Sequence, residues 1–495
     1  VDFFFESVKI NAFALVKRCL KNGEYPGQLS MRLRQNNGSL LCVAKLKQIC
    51  LSSPSMISAS QSLYEKAKRL IPGGTQLLSK RPEMFAPENW PAYYREAQGC
   101  EVIDLDGNRL LDMSIMGIGT CLLGYNDPDV SSAVIRRIKA GSMSSLNNPE
   151  EVELAEALLE IHPWAEQVRY SRTGGEAMAI AVRIARAKTR RNIVAFCGYH
   201  GWHDWYLAAN LSSTDSGGQL QGHLLPGLEP NGVPDGLSGT ALPFRYNHLD
   251  ELEAIILQHP DQLAAVVMEP TRHDEPAPGF LEGVRKLCNQ TQAVLVVDEI
   301  TAGWRLHHGG AHLKYGLQPD IAVFGKALGN GHPIAAVIGK GKFMEAAQSS
   351  FISSSYWTEG VGPAAALATL TKLKSVDVPG HLTAISELFR TGLGDLVKRL
   401  GLNIRFSGHP AITVLSFEDP QASALQTLFT VRMLEQGILA GSGFYASLAH
   451  REEHVDRFLK ASGKVLPEIA QAVENGDVHE RIPGGVKHSG FSRLT

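Results

Sequence analysis

No run of about 18 apolar residues, the least a membrane-spanning helix needs, occurs in the 495-residue chain, so a membrane partner is not expected. An excess of one charge is missing as well. Lys plus Arg number 48 against 50 Asp plus Glu, a net charge of −2. That balance leaves no basic surface for nucleic acid and no acidic tail, and small molecules are the expected partners. Cysteine is sparse: Cys19, Cys42, Cys50, Cys100, Cys121, Cys197 and Cys288 are odd in number, scattered, and form no CxxC pair. This usage fits free thiols in a reducing, cytoplasmic compartment rather than a disulfide framework. The opening VDFFFESVKI carries Asp2 and Glu6 and no basic n-region, so neither a secretory signal nor a transit peptide is expected. Residue 1 is Val, which suggests a fragment or a processed product, and there is no internal repeat.

What is present begins with a Ser-rich stretch at 51–62, LSSPSMISASQS, which reads as a linker. Residues 1–55 stay unassigned, either the tail of an upstream domain or an accessory extension. Residues 63–70 read as a helix stopped by Pro72-Gly73-Gly74, and EVIDLDGNRLL (101–111) alternates around Asp106-Gly107, a hairpin signal. From 117 to about 375 short apolar runs alternate with helical segments. The runs fall at 168–170, 193–196, 264–268, 294–297, 321–324 and 335–338. The expected architecture is α/β: a large domain (117–375) with a mostly parallel sheet covered on both faces. A small α+β lobe would combine residues 56–116 with 376–495. Ligands of such sheets sit at the carboxyl ends of the strands.

Chemistry-bearing residues cluster at those ends. IAVFGKALGNGHP (321–333) delivers Lys326 into a Gly-rich turn, and VLVVDE (294–299) delivers Asp298. A lysine amine can form a Schiff base with the aldehyde of pyridoxal phosphate, and a carboxylate can keep its pyridine nitrogen protonated. RTGGE (172–176) precedes a helix whose Ala177, Ile180, Ala181 and Ile184 share one face. Thr173, Gly174 and Gly175 thus open a helix N-terminus suited to a phosphate, although a Gly-Gly turn without ligand matches equally well. CGYHGWHDW (197–205) follows a strand; Tyr199 is the choice for stacking on a pyridine ring, with His200 beside it. His200-x-x-His203 lacks a third ligand nearby, so no metal is expected, and Trp202, His203 and Trp205 are expected to pack. Glu269 ends a further strand, as a partner for a substrate-binding arginine or as a structural charge. Arg305 has two readings, a grip on a substrate carboxylate or an ion-pair partner. His307, His308 and His312 are read as surface or packing residues.

The ordered set TGGEA (173–177), YHGWHDW (199–205), MEP (268–270), VVDEITAGWR (296–305), GGA (309–311), PD (319–320) and FGKALGNGHP (324–333) resembles the class III pyridoxal-phosphate aminotransferases. Within them it is most similar to the branch containing glutamate-1-semialdehyde aminomutase. The flanking IPGG (71–74), DLDGNRLLD (104–112) and HSGFSRL (488–494) agree. The resemblance covers residue 60 to the C-terminus and implies a fold-type I dimer whose active sites are shared between subunits. It implies Lys326 as the Schiff-base lysine, Asp298 on the ring nitrogen, Tyr199 on the ring, and Thr173, Gly174 and Gly175 on the phosphate. A phosphate-binding hydroxyl from the neighbouring subunit would come from SSSYWTEGVG (353–362), as Ser355 or alternatively Thr358. The aminomutase's Ser-Trp pair is missing from DMSIMGIGTCLLG (112–124), and Tyr445 stands in GFYAS (443–447) where its acid would be. A transaminase is therefore expected over an aminomutase. A catalytically silent scaffold is a third reading.

Overall fold

A computed structural model describes residues 31–36, 39–44, 58–211, 229–271 and 274–490. The chain divides into two compact units, Val1–Ser58 and Ala59–Thr495. In the first, Met31–Asn36 pairs antiparallel with Ser39–Ala44. The Ser-rich linker up to residue 57 and the end of the closing HSGFSRL motif lie outside the described residues.

The second unit is built on a seven-stranded sheet. Its spatial order is Gln167–Ser171, Ala335–Gly339, Ile321–Phe324, Val294–Asp298, Leu263–Met268, Ile193–Cys197 and Ala241–Pro243. Only Ala335–Gly339 runs against its neighbours. All six apolar runs read from the sequence are strands here; Ala241–Pro243, three residues long, is the addition. The central strands are buried along their whole length. Because successive side chains alternate faces, Val194, Phe196, Val267 and Val296 pack towards the helix Gly174–Thr189. Ala195, Cys197, Val266 and Val297 pack on the other face, against Phe280, Leu281 and Val284 of the helix Phe280–Thr291. The parallel register brings Cys197, Met268 and Asp298 to one end of the sheet.

A four-stranded sheet joins Tyr94–Gln98, Glu101–Asp104 and Arg109–Asp112 to Ile438–Leu439 from far along the chain. The hairpin between its second and third strands turns through Gly107 at φ 87°. Three more strands, Ile404–Ser407, Ile412–Phe417 and Gly443–Tyr445, carry the helices Val378–Arg399 and Glu452–Asn475 over Phe389, Phe444 and Phe458. Cys100, Cys121, Cys197 and Cys288 are buried free thiols. Among the described residues no helix is long and apolar enough to cross a membrane.

His450 ties these sheets together. Its Nδ1 accepts from the Ser447 amide (3.1 Å) and hydroxyl (2.9 Å), which assigns the proton to Nε2, donating to the Asp112 carbonyl at 2.8 Å. Burial pushes this imidazole down from 6.5 to about 4. The unfolded chain takes up a proton first as pH falls, so the contribution is complete above about 6.5 and lost progressively towards 4. The expected loss approaches 1.4 kcal/mol per pH unit inside that window. Urea midpoints at pH 7, 6 and 5 check this, and the His450→Gln variant should show a flatter dependence; parallel slopes would refute it.

Candidate active site

Asp298 ends its strand 2% exposed. Its Oδ1 accepts the Ile300 amide at 2.9 Å, and its Oδ2 lies 2.8 Å from Nδ1 of His200. Nε2 of His200 faces the Cys197 carbonyl at 3.1 Å, so both ring nitrogens are engaged and the histidine holds the carboxylate in place. Among the described residues no group of three His, Cys, Asp or Glu side chains could hold a metal.

Lys326 opens the short turn Lys326–Gly329 in the left-handed region, φ 40°, an uncommon setting for a residue with a side chain. Its Nζ donates to Thr301 Oγ1 at 2.7 Å. Asn330, also left-handed, anchors the turn: its Oδ1 accepts from Leu123 N at 2.9 Å and its Nδ2 donates to Gly124 O at 3.0 Å.

Thr173 is the N-cap of Gly174–Thr189 in a capping box with Glu176. Glu176 Oε2 accepts the amides of Arg172 (3.0 Å) and Thr173 (2.9 Å), while Thr173 Oγ1 accepts from Glu176 N at 3.4 Å. The Thr173 hydroxyl proton and the first-turn amides of Gly174 and Gly175, which have no intrahelical partner, are left to meet an anion. Both glycines are dictated by crowding. A Cβ on Gly174 would lie 2.8 Å from Ile300, and one on Gly175 would lie 3.0 Å from the His203 ring.

Gly201, at φ 108°, brings the 199–203 loop onto this cradle, its own Cβ position only 3.0 Å from Gly175 Cα. Gly201→Ala combines left-handed strain with that backbone contact. It should weaken cofactor binding about tenfold or more, given strain of roughly 1–3 kcal/mol; a titration monitored by absorbance tests this, and an unchanged dissociation constant would refute it.

Tyr199 is half-buried, packs edge-on against Tyr206 at 5.9 Å, and donates its amide to Glu269 Oε2 at 3.3 Å. Glu269 is 4% exposed, and its carboxylate fills the space where a Gly198 side chain would stand. The hydroxyls of Ser355 and Thr358 lie in the exposed turn Ser355–Thr358, where Thr358 Oγ1 donates to Ser355 O at 3.0 Å. Neighbouring residues bind this turn beside the chain's own cradle: Trp357 Nε1 donates to Glu176 Oε1 at 3.4 Å, and Glu359 pairs with Arg172 at 3.0 Å.

Two expectations are corrected. Arg305 forms no ion pair among the described residues. It is 1% exposed, donates through Nε to Thr301 O at 2.8 Å and through Nη2 to Gly119 O, and lies 5.9 Å from the Tyr445 ring. Burial lowers it to about 10. Trp202 does not pack into the interior: it is 69% exposed, tilted over His203 at 4.5 Å. Of the two readings given for His312, the packing one holds: it is fully buried, 2.7 Å from Glu299 Oε1. Trp205 also packs as expected.

Two contributors went unread. Glu176 carries its own signal, the T-x-x-E spacing from Thr173 that marks a capping box. Thr301 had none beyond a hydroxyl three residues after Asp298.

The site thus combines an amine on a constrained turn, a buried carboxylate and an anion cradle. Beside the cradle, Nδ1 of His203 is buried without a hydrogen-bond partner. This donor set fits a phosphorylated pyridine aldehyde.

Comparison with known proteins agrees. The family model Aminotransferase class-III matches residues 84–466. A 3-aminobutyryl-CoA aminotransferase of Cloacimonas acidaminovorans is 31% identical over 84% of this chain and 98% of its own length. A glutamate-1-semialdehyde 2,1-aminomutase of Desulfovibrio desulfuricans is 34% identical over 83% of this chain and 100% of its own. The solved FumI protein of Sphingopyxis sp. MTA144, which carries pyridoxal phosphate, superimposes with a TM-score of 0.75 at 26% identity, covering 86% of this chain and 99% of that one. The chain belongs to the class III aminotransferases and is a pyridoxal-phosphate-dependent enzyme of the fold-type I class.

Proposed function

We propose a transaminase that moves an amino group from an amino-acid donor to an oxo or aldehyde acceptor in a ping-pong sequence. The observation that carries it is Lys326, aimed by a left-handed turn and bonded to Thr301, at the same strand ends as the His200–Asp298 pair. When bound, pyridoxal phosphate supplies an electron sink for the substrate carbon. Lys326 holds the cofactor, and its freed amine takes and returns the proton at the substrate carbon. Asp298, fixed by His200, keeps the ring nitrogen protonated. Tyr199 is assigned to the ring face, Glu269 to the backbone of the 198–199 turn, and Thr173, Gly174 and Gly175 to the phosphate.

The partner in this reading is a second copy of the chain in the cytoplasm, with Ser355 or Thr358 reaching the neighbouring phosphate. Leu146, Phe351 and Tyr356 are 81%, 85% and 72% exposed. Asn148 Nδ2, donating to Thr358 O at 3.0 Å, joins their segments into one surface. Apolar groups so displayed mark an interface. The small lobe is assigned to 56–116 with 376–495, supported by the pairing of Ile438–Leu439 with Arg109–Asp112. Sedimentation should give a dimer mass; a monomer at micromolar concentration would refute the shared site.

An aminomutase is the second reading, favoured by the full-length match to the Desulfovibrio enzyme. The two separate on one experiment. A visible band that bleaches with L-glutamate, releases a stoichiometric oxo acid and traps on Lys326 with borohydride establishes the transaminase. A band that traps on Lys326 but ignores every donor except a diamino or amino-aldehyde compound establishes the mutase.

A further inference from the structure

We propose that Thr301 is a positioning residue for Lys326, holding its amine aimed into the site in both protonation states. This rests on the reading of Lys326 as the cofactor-holding lysine. Thr301 is 6% exposed, and its Oγ1 accepts from Lys326 Nζ at 2.7 Å. Its backbone is fixed from both sides. Arg305 Nε donates to its carbonyl at 2.8 Å, and the preceding turn is closed by Asp298 Oδ1 on the Ile300 amide at 2.9 Å. Arg305 in turn grips Gly119 O, the end of a run of left-handed residues: Met116 (φ 41°), Gly117 (64°), Ile118 (61°) and Gly119 (75°). The hydroxyl that meets the lysine therefore belongs to a frame shared with Asp298 rather than to a mobile loop.

The chemistry of the contact is specific to a hydroxyl. One O–H donor and two acceptor lone pairs let it accept from an ammonium and donate to a neutral amine. A carboxylate in its place would favour the charged amine and raise the lysine. An apolar side chain would remove this contact from a long, rotamer-rich stem. Thr301 thus orients Lys326 without holding its proton on, which suits a group that must be a nucleophile first and a proton carrier afterwards.

The test is reconstitution of the apoprotein with pyridoxal 5′-phosphate, reading the rate at which the borohydride-trapped adduct appears on the Lys326 peptide. Thr301→Val should slow trapping about tenfold and Thr301→Ser should stay within about twofold, the scale expected for a misplaced reacting group. In a Lys326→Ala background Thr301→Val should leave noncovalent cofactor affinity unchanged. Trapping as fast in Thr301→Val as in the parent would overturn the proposal, as would equal slowing in Thr301→Ser. Should Thr301→Val fail to fold, Thr301→Asp carries the test. In the apoprotein it should raise the pH midpoint for acetic-anhydride labelling of Lys326 by about one unit, and an unmoved midpoint overturns the contact. A parent protein that traps at another lysine would instead overturn the underlying site reading, and this proposal with it.

Discussion

Replacing Lys326 by alanine lowers multiple turnover by at least about 10⁴-fold, the upper end of what a positioned proton-transfer group contributes. Borohydride then traps nothing on the 321–333 peptide. The fold should survive, because the side chain is half-buried on a turn whose Asn330 anchors to Leu123 and Gly124 are untouched. Cofactor should still bind noncovalently, since the cradle at Gly174 and Gly175 lies on a different element. Steady-state assay, absorbance titration and circular dichroism check the three parts. Turnover within a hundredfold of the parent would remove Lys326 from its assigned role.

Asp298→Asn is the second large effect, and its value is that no polar group is orphaned. The asparagine oxygen can keep the Ile300 amide, observed at 2.9 Å, and its amide can donate to Nδ1 of His200, whose Nε2 keeps the Cys197 carbonyl at 3.1 Å. Geometry is preserved while the negative charge is lost. The expected fall in kcat is on the order of 10³-fold, equivalent to about 4 kcal/mol of transition-state stabilisation, as for other preorganised electrostatic groups. Thermal stability should change little. A variant within tenfold of the parent would show that the ring nitrogen is not held by this carboxylate.

The sheet was legible because its strands are buried on both faces, which makes 193–196, 294–297 and 321–324 continuous apolar runs. Ala241–Pro243 was not, since three residues ending in proline give no period to detect. Nothing in the residues 335–338 distinguishes an antiparallel strand from a parallel one; direction is decided by which neighbours remain to be paired. At the site, residues defined by what precedes them in the chain could be read: Asp298 and Lys326 after strands, Gly174 and Gly175 before a helix. Thr301 and Arg305 could not, because their roles come from partners distant in sequence or from the path of the turn itself. Arg305 illustrates this best. Its guanidinium is met by the carbonyls of Thr301 and Gly119 rather than by an acid, a choice only the folded backbone makes.

The reversed strand also sets a timetable for biosynthesis. Gln167–Ser171, which leads into the glycine cradle, joins the sheet only through Ala335–Gly339, with Ser171 opposite Ala335. While the ribosome is still short of residue 335, that strand has no edge to occupy, and the cradle has no fixed place beside Asp298. The nascent chain must keep an unpaired strand and its helix waiting through the synthesis of five other strands of the sheet. A released chain truncated at residue 334, which contains Lys326 but lacks Ala335–Gly339, should therefore fail to trap pyridoxal phosphate on that lysine, because long-range pairing is the last step in building the site.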